Sequence, residues 1–434
     1  MLEVGPSRFF PGTSAVSILS LPIGLCAGCC AAVLCLQPRS VGAAESNPAT
    51  ASTEIIKADG AEAAVIEDTT APPVEPTYGN PIATRIRVGA RVEAQGGEVR
   101  DIFIMVATPL ECPEQEVHVV EEDISPTVGS VDYRTLPDVK LADPGARQML
   151  ITVPQLPARQ TASAVVTYEV LTKHVYAPKQ TDGLFIPKKP PRELKPYLSG
   201  SPFINVGDRK IKDAIDDALA ARVTRNQAGE PATTAGDDAT SPGDVAADGA
   251  ESEESKTAPA GKRENAKPQT EEKDEAKPDP AVIAAEIEKL TDWQRVEALY
   301  DFVRAKVKYL EGAEDMSSVQ ALKAEQADCH GLSALFVAMC RTMKTPARMV
   351  WVDGHQYAEF YLEDESGKGY WYPAQLAGTR AFGEMPVPMV IFQKGDNFRV
   401  PERRRERLRY ATDHTTLSAA PQHKPRVVYI REQL

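Results

Sequence analysis

The chain is short of cysteine where cysteine would count. Four of its seven lie together at Cys26, Cys29, Cys30 and Cys35, which leaves only Cys112, Cys329 and Cys340 for everything after. Three is odd, so at least one of those thiols has no partner within the chain. Cys329 and Cys340 cannot bridge, because eleven helical residues would hold them about 16 Å apart. Cys329, His330, Cys340 and His355 also lack the close paired spacing of a structural zinc site, so no metal or other cofactor is expected. Positive charge is scarce too. Lys and Arg number 49 against 62 Asp and Glu, a net charge of −13, which argues against a general nucleic-acid binder. No repeat of solenoid period is present. Residues 224–280 hold a single Val (Val245) and no Leu, Ile, Met or aromatic residue. Such a stretch cannot bury enough apolar surface to offset its ordering entropy. It reads as a disordered insertion within a domain, since helical pattern stands on both sides.

What is present falls into blocks. The run "AVSILSLPIGLCAGCCAAVLCLQ" (15–37) is apolar and uncharged, follows Arg8 and leads to the small residues of "SVGAAES". It has the form of an export signal cleaved near Ala43 or Ala44; a retained single-span anchor through 15–37 is the alternative. An exported chain, periplasmic or extracellular, follows from either. Residues 1–44 are therefore set apart, and 45–82 read as a flexible spacer. From 83 to 178, short alternating runs such as "RIRVGARVEA" and "SAVVTYEVLTKHVYA" are broken by Gly, Pro and Asp turns, the pattern of an antiparallel β-sandwich. His118 and His174 lie within those strand patterns and read as surface or packing residues. A Pro-rich crossing and a helical stretch fill 179–223. Structure resumes at 281, where Ile283, Ile287 and Leu290 make a short stripe and "TDWQ" (291–294) has the form of a capping box before a second helix.

The chemistry concentrates further on, in "CHGLSALFVAMCR" (329–341). Leu332, Leu335, Phe336, Met339 and Met343 fall at i, i+3, i+4, i+7 and i+11, the stripe of an amphipathic helix. Carrying the stripe back three residues lands on Cys329, on the inward side of the first turn and just after Asp328, a candidate N-cap. Unpaired N–H groups and the macrodipole at that position favour a thiolate and are expected to lower its pKa. Gly331, Ala334 and Ala338 form a small-residue face that lets another element approach. His330 points about 100° away around the axis and is expected to line the mouth of a cleft. Next, "VWV" and "QYAEFYLE" flank Asp353-Gly354, a hairpin turn signal, and "ESGKG" turns a second hairpin. Alternation puts His355, Tyr357, Glu359 and Tyr361 on one face. Counting outward from the second turn sets Gln375 near His355 on the neighbouring strand. A Cys opening a helix, then a His at a strand start with a polar neighbour, is the order of a Cys-His-orienter unit.

These residues resemble the transglutaminase-like superfamily of papain-like cysteine enzymes. The run from Cys329 through "TPARMV" to "HQYAEFYL" and "YWYPAQ" is similar to a pattern in which a Cys-headed helix precedes His-x-Trp-x-Glu and Trp-x-Pro-x-Asp. Cys329, His355, Glu359 and Trp371 match. The pattern's Asp falls at Gln375, its second-motif Trp at Tyr357, the Gly before the Cys at Ala327 and the helix-ending Gly at Lys344. The resemblance implies an α+β fold, with a β-sandwich followed by a papain-like core over 179–223 and 281–434. It implies Cys329 as nucleophile, His355 as base and Gln375 as orienter, with His330, Tyr357, Glu359 and Trp371 at the cleft or orienting the site. It also implies a protein or peptide substrate attacked at an amide. A catalytically degenerate, exported interaction module is the competing expectation. The basic run "PERRRERLRY" (401–410) reads as a solvated strand or a partner for acidic regions.

Overall fold

Two antiparallel sheets account for the alternating N-terminal runs. In the computed structural model, which describes residues 2–4, 74–137, 144–229, 279–411 and 413–434, a four-stranded sheet has the order Arg426–Gln433, Thr77–Glu93, Thr161–Tyr176, Gln115–Ile124. Ile86, Val88, Ala90 and Val92 point inward from alternate positions and meet Ile102, Ile104 and Val106 of Val99–Thr108 and Met149, Ile151 and Val153 of Pro144–Leu156. This is the sandwich that period-two patterning predicts. The export segment, its cysteines and most of the predicted insertion and spacer lie outside the described residues. The spacer's last residues do not: the first long strand begins at Thr77.

The second sheet has ten strands and does not stop at the sandwich. Its order runs Leu2–Val4, His414–Ala419, Val99–Thr108, Pro144–Leu156, Ile391–Lys394, Ala347–Val352, His355–Glu363, Gly369–Gln375, Ala381–Phe382, with Ser130–Pro137 also on Pro144–Leu156. Pairing of Gln393 with Ala146 joins its two halves. Two C-terminal strands, His414–Ala419 and Arg426–Gln433, pair with N-terminal strands, whereas the sequence places 281–434 wholly with the later core. Alternation reports which face of a strand is buried, but not which edge it joins. The C-terminal strands pair with Val99–Thr108 and Thr77–Glu93, whose edges would otherwise be open.

One face of the later strands is covered by α5 (Cys329–Thr342), on which α1 (Arg209–Ala228), α3 (Asp292–Lys306) and α4 (Ser318–Ala324) pack, with α2 (Pro280–Lys289) against α1. Helix α1 runs through Ala228, past the expected start of the insertion at 224. The Thr291–Gln294 capping box forms in both directions. Helix α4, absent from the sequence reading, has its own box between Ser317 and Gln320. Helix α5 buries Leu332, Leu335, Phe336 and Met339 against Met349, Trp351, Ala358 and Phe360 of the sheet, each worth about 1.5–3 kcal/mol relative to exposure. A methyl group at Gly331 would stand 2.6 Å from the Cβ of Ala327 and 3.5 Å from that of Ala321, so the small-residue face admits α4 as expected. Just past the end of α5, Lys344 takes a left-handed φ of 71°, a conformation glycine adopts without strain.

Candidate active site

Helix α5 and the hairpin after it bring the nucleophile candidate and its neighbours to one end of the sheet. Asp328 caps the helix by accepting from the Gly331 N–H at 2.8 Å, which fixes Cys329 in the first turn. A short parallel pair, Lys308–Tyr309 with Gln326–Ala327, leads directly into it. The hairpin turns at Asp353-Gly354, where Gly354 takes φ 67°, and returns as the strand opened by His355. Ala358 faces Ala374 across the next pair and sets the register. His355 Nε2 and Gln375 Oε1 meet at 2.9 Å. The neighbour relation expected from counting out from the turn is therefore present in the structure.

That contact fixes the tautomer. An amide oxygen can only accept, so Nε2 carries the proton and the lone pair is left on Nδ1. Burial holds the His355 pKa below its ordinary value, and the bond to Gln375 partly offsets this. The imidazole is neutral near pH 7 and basic at Nδ1.

The thiol departs from expectation. Burial pushes the Cys329 pKa up to about 12, and Asp328 adds to the rise; backbone N–H groups of Gln356, His330 and Cys329 pull it back without reversing it. The helix start acts in the expected direction and is outweighed by desolvation. Cys329 Sγ donates to Gln356 Oε1 at 3.4 Å, not to His355. The resting site thus holds two neighbouring neutral pairs, Cys329–Gln356 and His355–Gln375. Tyr309 lies close enough that the sulfur, after burial itself, raises the phenol pKa, to about 12.

The comparisons with known proteins bear on this segment. Residues 282–376 match the model of the transglutaminase-like superfamily. The matched stretch runs from α2 through Cys329 and His355 to Gln375. Among solved structures, a candidate cysteine protease from Cytophaga hutchinsonii superposes with a TM-score of 0.41 at 13% identity, covering 82% of this chain and 92% of that one. No curated protein matches the chain.

Within the matched stretch, three other expected residues serve the sheet and not the sulfur. Glu359 is 1% exposed; it accepts from Arg348 Nε at 2.7 Å and from Lys394 Nζ at 2.7 Å. Lys394 also reaches Glu114 at 2.7 Å, so the network ties the later strands to the turn before Gln115–Ile124 of the four-stranded sheet. Tyr357 is buried with Leu110, Val175, Val350, Val352, Met385 and Ile391. Trp371 lies under the Arg348 guanidinium, 4.0 Å from the ring centre, and edge-on to Tyr197 and Tyr361. Tyr357 and Glu359 lie on the strand face away from Ala358 and Phe360, the residues that meet α5, as alternation expects.

His330 does not line a cleft mouth. It is 3% exposed, edge-on to Phe203 at 5.4 Å and tilted on Trp351 at 5.7 Å. Its 100° offset from Cys329 turns it into the core beneath Arg409, whose guanidinium lies 4.6 Å from the Phe203 ring centre. Burial, then Arg409, holds its pKa down at about 3, against a weaker pull from Asp315. The unfolded chain binds this proton near pH 6.5 and the folded chain does not, so stability falls as pH drops through that window, by about 1.4 kcal/mol per pH unit for this group. Urea unfolding between about pH 6.5 and 4 is expected to show a smaller decline in His330→Phe than in the parent. Equal declines would contradict the assignment.

Gln356 and Tyr309 were missed from sequence. For Gln356 a signal existed: residues 356, 358, 360 and 362 share the helix face, and Gln356 is its one polar member and the first toward the Cys329 end. Tyr309 had none, because a two-residue parallel pair leaves no periodicity. The 401–410 run is no strand. It contains the short turn Pro401–Arg403, and Arg409 pairs with Asp315 at 2.5 Å. The described cysteines Cys112, Cys329 and Cys340 are all free, and among the described residues no cluster of three His, Cys, Asp or Glu could hold a metal ion. No helix among them is long and apolar enough to cross a membrane.

Proposed function

We propose that the chain is a cysteine acyl-transfer enzyme acting on protein or peptide amides in an exported compartment. The observation that carries the reading is the His355–Gln375 bond at 2.9 Å, which leaves Nδ1 as the free base on the residue next to Gln356, the side chain that touches the Cys329 sulfur. The Cys329 proton passes to His355 Nδ1 as Sγ bonds to the carbonyl carbon. Backbone N–H groups at the helix start stabilise the oxyanion. The C–N bond then breaks, His355 protonates the departing amine, and water or a second amine releases the acyl group. Hydrolysis is the preferred outcome. With Cys329 held up to about 12 by burial, proton transfer accompanies attack, and no standing thiolate is needed.

The test is acylation by p-nitrophenyl acetate, read residue by residue by mass spectrometry on the chain from about residue 45. An acetyl thioester is expected at Cys329 well before Cys112 or Cys340. Labelling of Cys329 no faster than the other two would remove the enzyme reading. The high thiol pKa and the Cys329–Gln356 bond support a second reading, in which a catalytically degenerate core serves as an exported interaction module. Gln375→Glu separates them, because it keeps the side-chain length and puts a carboxylate where the amide oxygen is. The charge stabilises the imidazolium and is expected to raise the acetylation rate about 3- to 10-fold. In a degenerate core the rate would not change.

A further inference from the structure

The scheme above gives no part to Gln356, the side chain that touches the sulfur. Gln356 is 6% exposed, on a strand face otherwise formed by Ala358, Phe360 and Leu362. Its Oε1 accepts from Cys329 Sγ at 3.4 Å, and its Nε2 has no hydrogen-bond partner among the described residues. A largely buried carboxamide with its donors uncommitted to protein, set against a nucleophile candidate, is free to turn them toward a new acceptor. The reaction creates one. Once Sγ has bonded to a carbonyl carbon, the thiol proton that Oε1 held is gone, and the carbonyl oxygen, two bonds from Sγ, carries negative charge. A primary amide bears acceptor and donor on one planar group, so turning it end for end presents N–H where C=O had been. The backbone N–H groups of Cys329, His330 and Gln356 already face the sulfur.

Resting on the acyl-transfer reading, we infer that Gln356 is a catalytic residue that accepts the thiol proton's hydrogen bond at rest and donates to the oxyanion during acylation. Two reactions of Cys329 tell this role from a structural one. Acetylation by p-nitrophenyl acetate passes through an oxyanion: the S–C bond forms, the C–O bond to nitrophenol breaks, and the proton leaves through His355. Alkylation by iodoacetamide displaces iodide from a saturated carbon and forms no oxyanion. Gln356→Met is expected to slow acetylation about 100-fold, as loss of one oxyanion donor does, and to change alkylation by less than about 3-fold. Gln356→Asn, which withdraws the amide by one methylene, should show the same split and stands in if the Met variant does not fold. Equal falls in both reactions would make Gln356 a group that only sets access to the sulfur or its proton affinity, and unchanged acetylation would also overturn the inference. Failure of the acyl-transfer reading is seen elsewhere, as absence of His355-dependent acetylation in the unsubstituted chain.

Discussion

Replacing His355 by alanine lowers the rate of Cys329 acetylation by about 10²- to 10⁴-fold, the range for loss of a positioned general base. The effect is large because the thiol is not ionised beforehand. With its pKa pushed up to about 12 by burial and Asp328, deprotonation without a base costs several powers of ten near pH 7. The fold should survive, since His355 is half-buried, stands at a strand start and makes one side-chain bond, to Gln375. An unchanged melting temperature with a lost rate is the expected pairing. A variant that acetylates at the parent rate would take His355 out of the mechanism.

Arg341→Leu destabilises the protein by about 3–5 kcal/mol, the cost of leaving one member of a buried ion pair alone. Arg341 and Asp396 are each 1% exposed and meet at 2.5 Å. The guanidinium also donates to Ala347 O at 2.9 Å and Ser199 O at 2.8 Å, and Ser201 closes onto Asp396. One side chain thus ties the end of α5 to the Pro-rich crossing and to the loop after Ile391–Lys394. Removing it leaves the buried Asp396 carboxylate without this cation and the Ala347 and Ser199 carbonyls without this donor. Adding Asp396→Leu to Arg341→Leu should recover part of the loss, because the uncompensated charge goes too. Chemical unfolding of the three proteins measures this, and a loss below about 1 kcal/mol for Arg341→Leu would mean the pair behaves like a surface bridge.

Local features of this chain could be read before the structure, and long-range ones could not. The α5 stripe, the Thr291–Gln294 cap, the Asp353-Gly354 turn and the His355–Gln375 pairing each depend on residues within about two dozen positions, where periodicity and turn chemistry act directly. Joining Pro144–Leu156 to Ile391–Lys394, or His414–Ala419 to Val99–Thr108, depends on which strand edge is left open, and alternation carries no record of that. The same limit explains Glu359. Its Arg348 partner, eleven residues away, was one that sequence could propose, whereas Lys394 and Glu114 come from distant strands and loops. Electrostatics failed for a different reason. The helix-start contribution to Cys329 is a local property, but desolvation depends on everything packed around the sulfur, and here it prevails.

In the proposed reaction a neutral thiol and a neutral imidazole act together, and the pH dependence of Cys329 acetylation reports on that pair. His355 must be unprotonated to accept the proton, and burial holds its pKa below the ordinary value. The rate should therefore rise from acid, reach a plateau before the free-imidazole value of about 6.5, and stay level through about pH 9, since the thiol ionises only near 12. A rate that climbs about tenfold per pH unit from 7 to 9, the same in the parent and in His355→Ala, would mean an unassisted thiolate and would contradict the account.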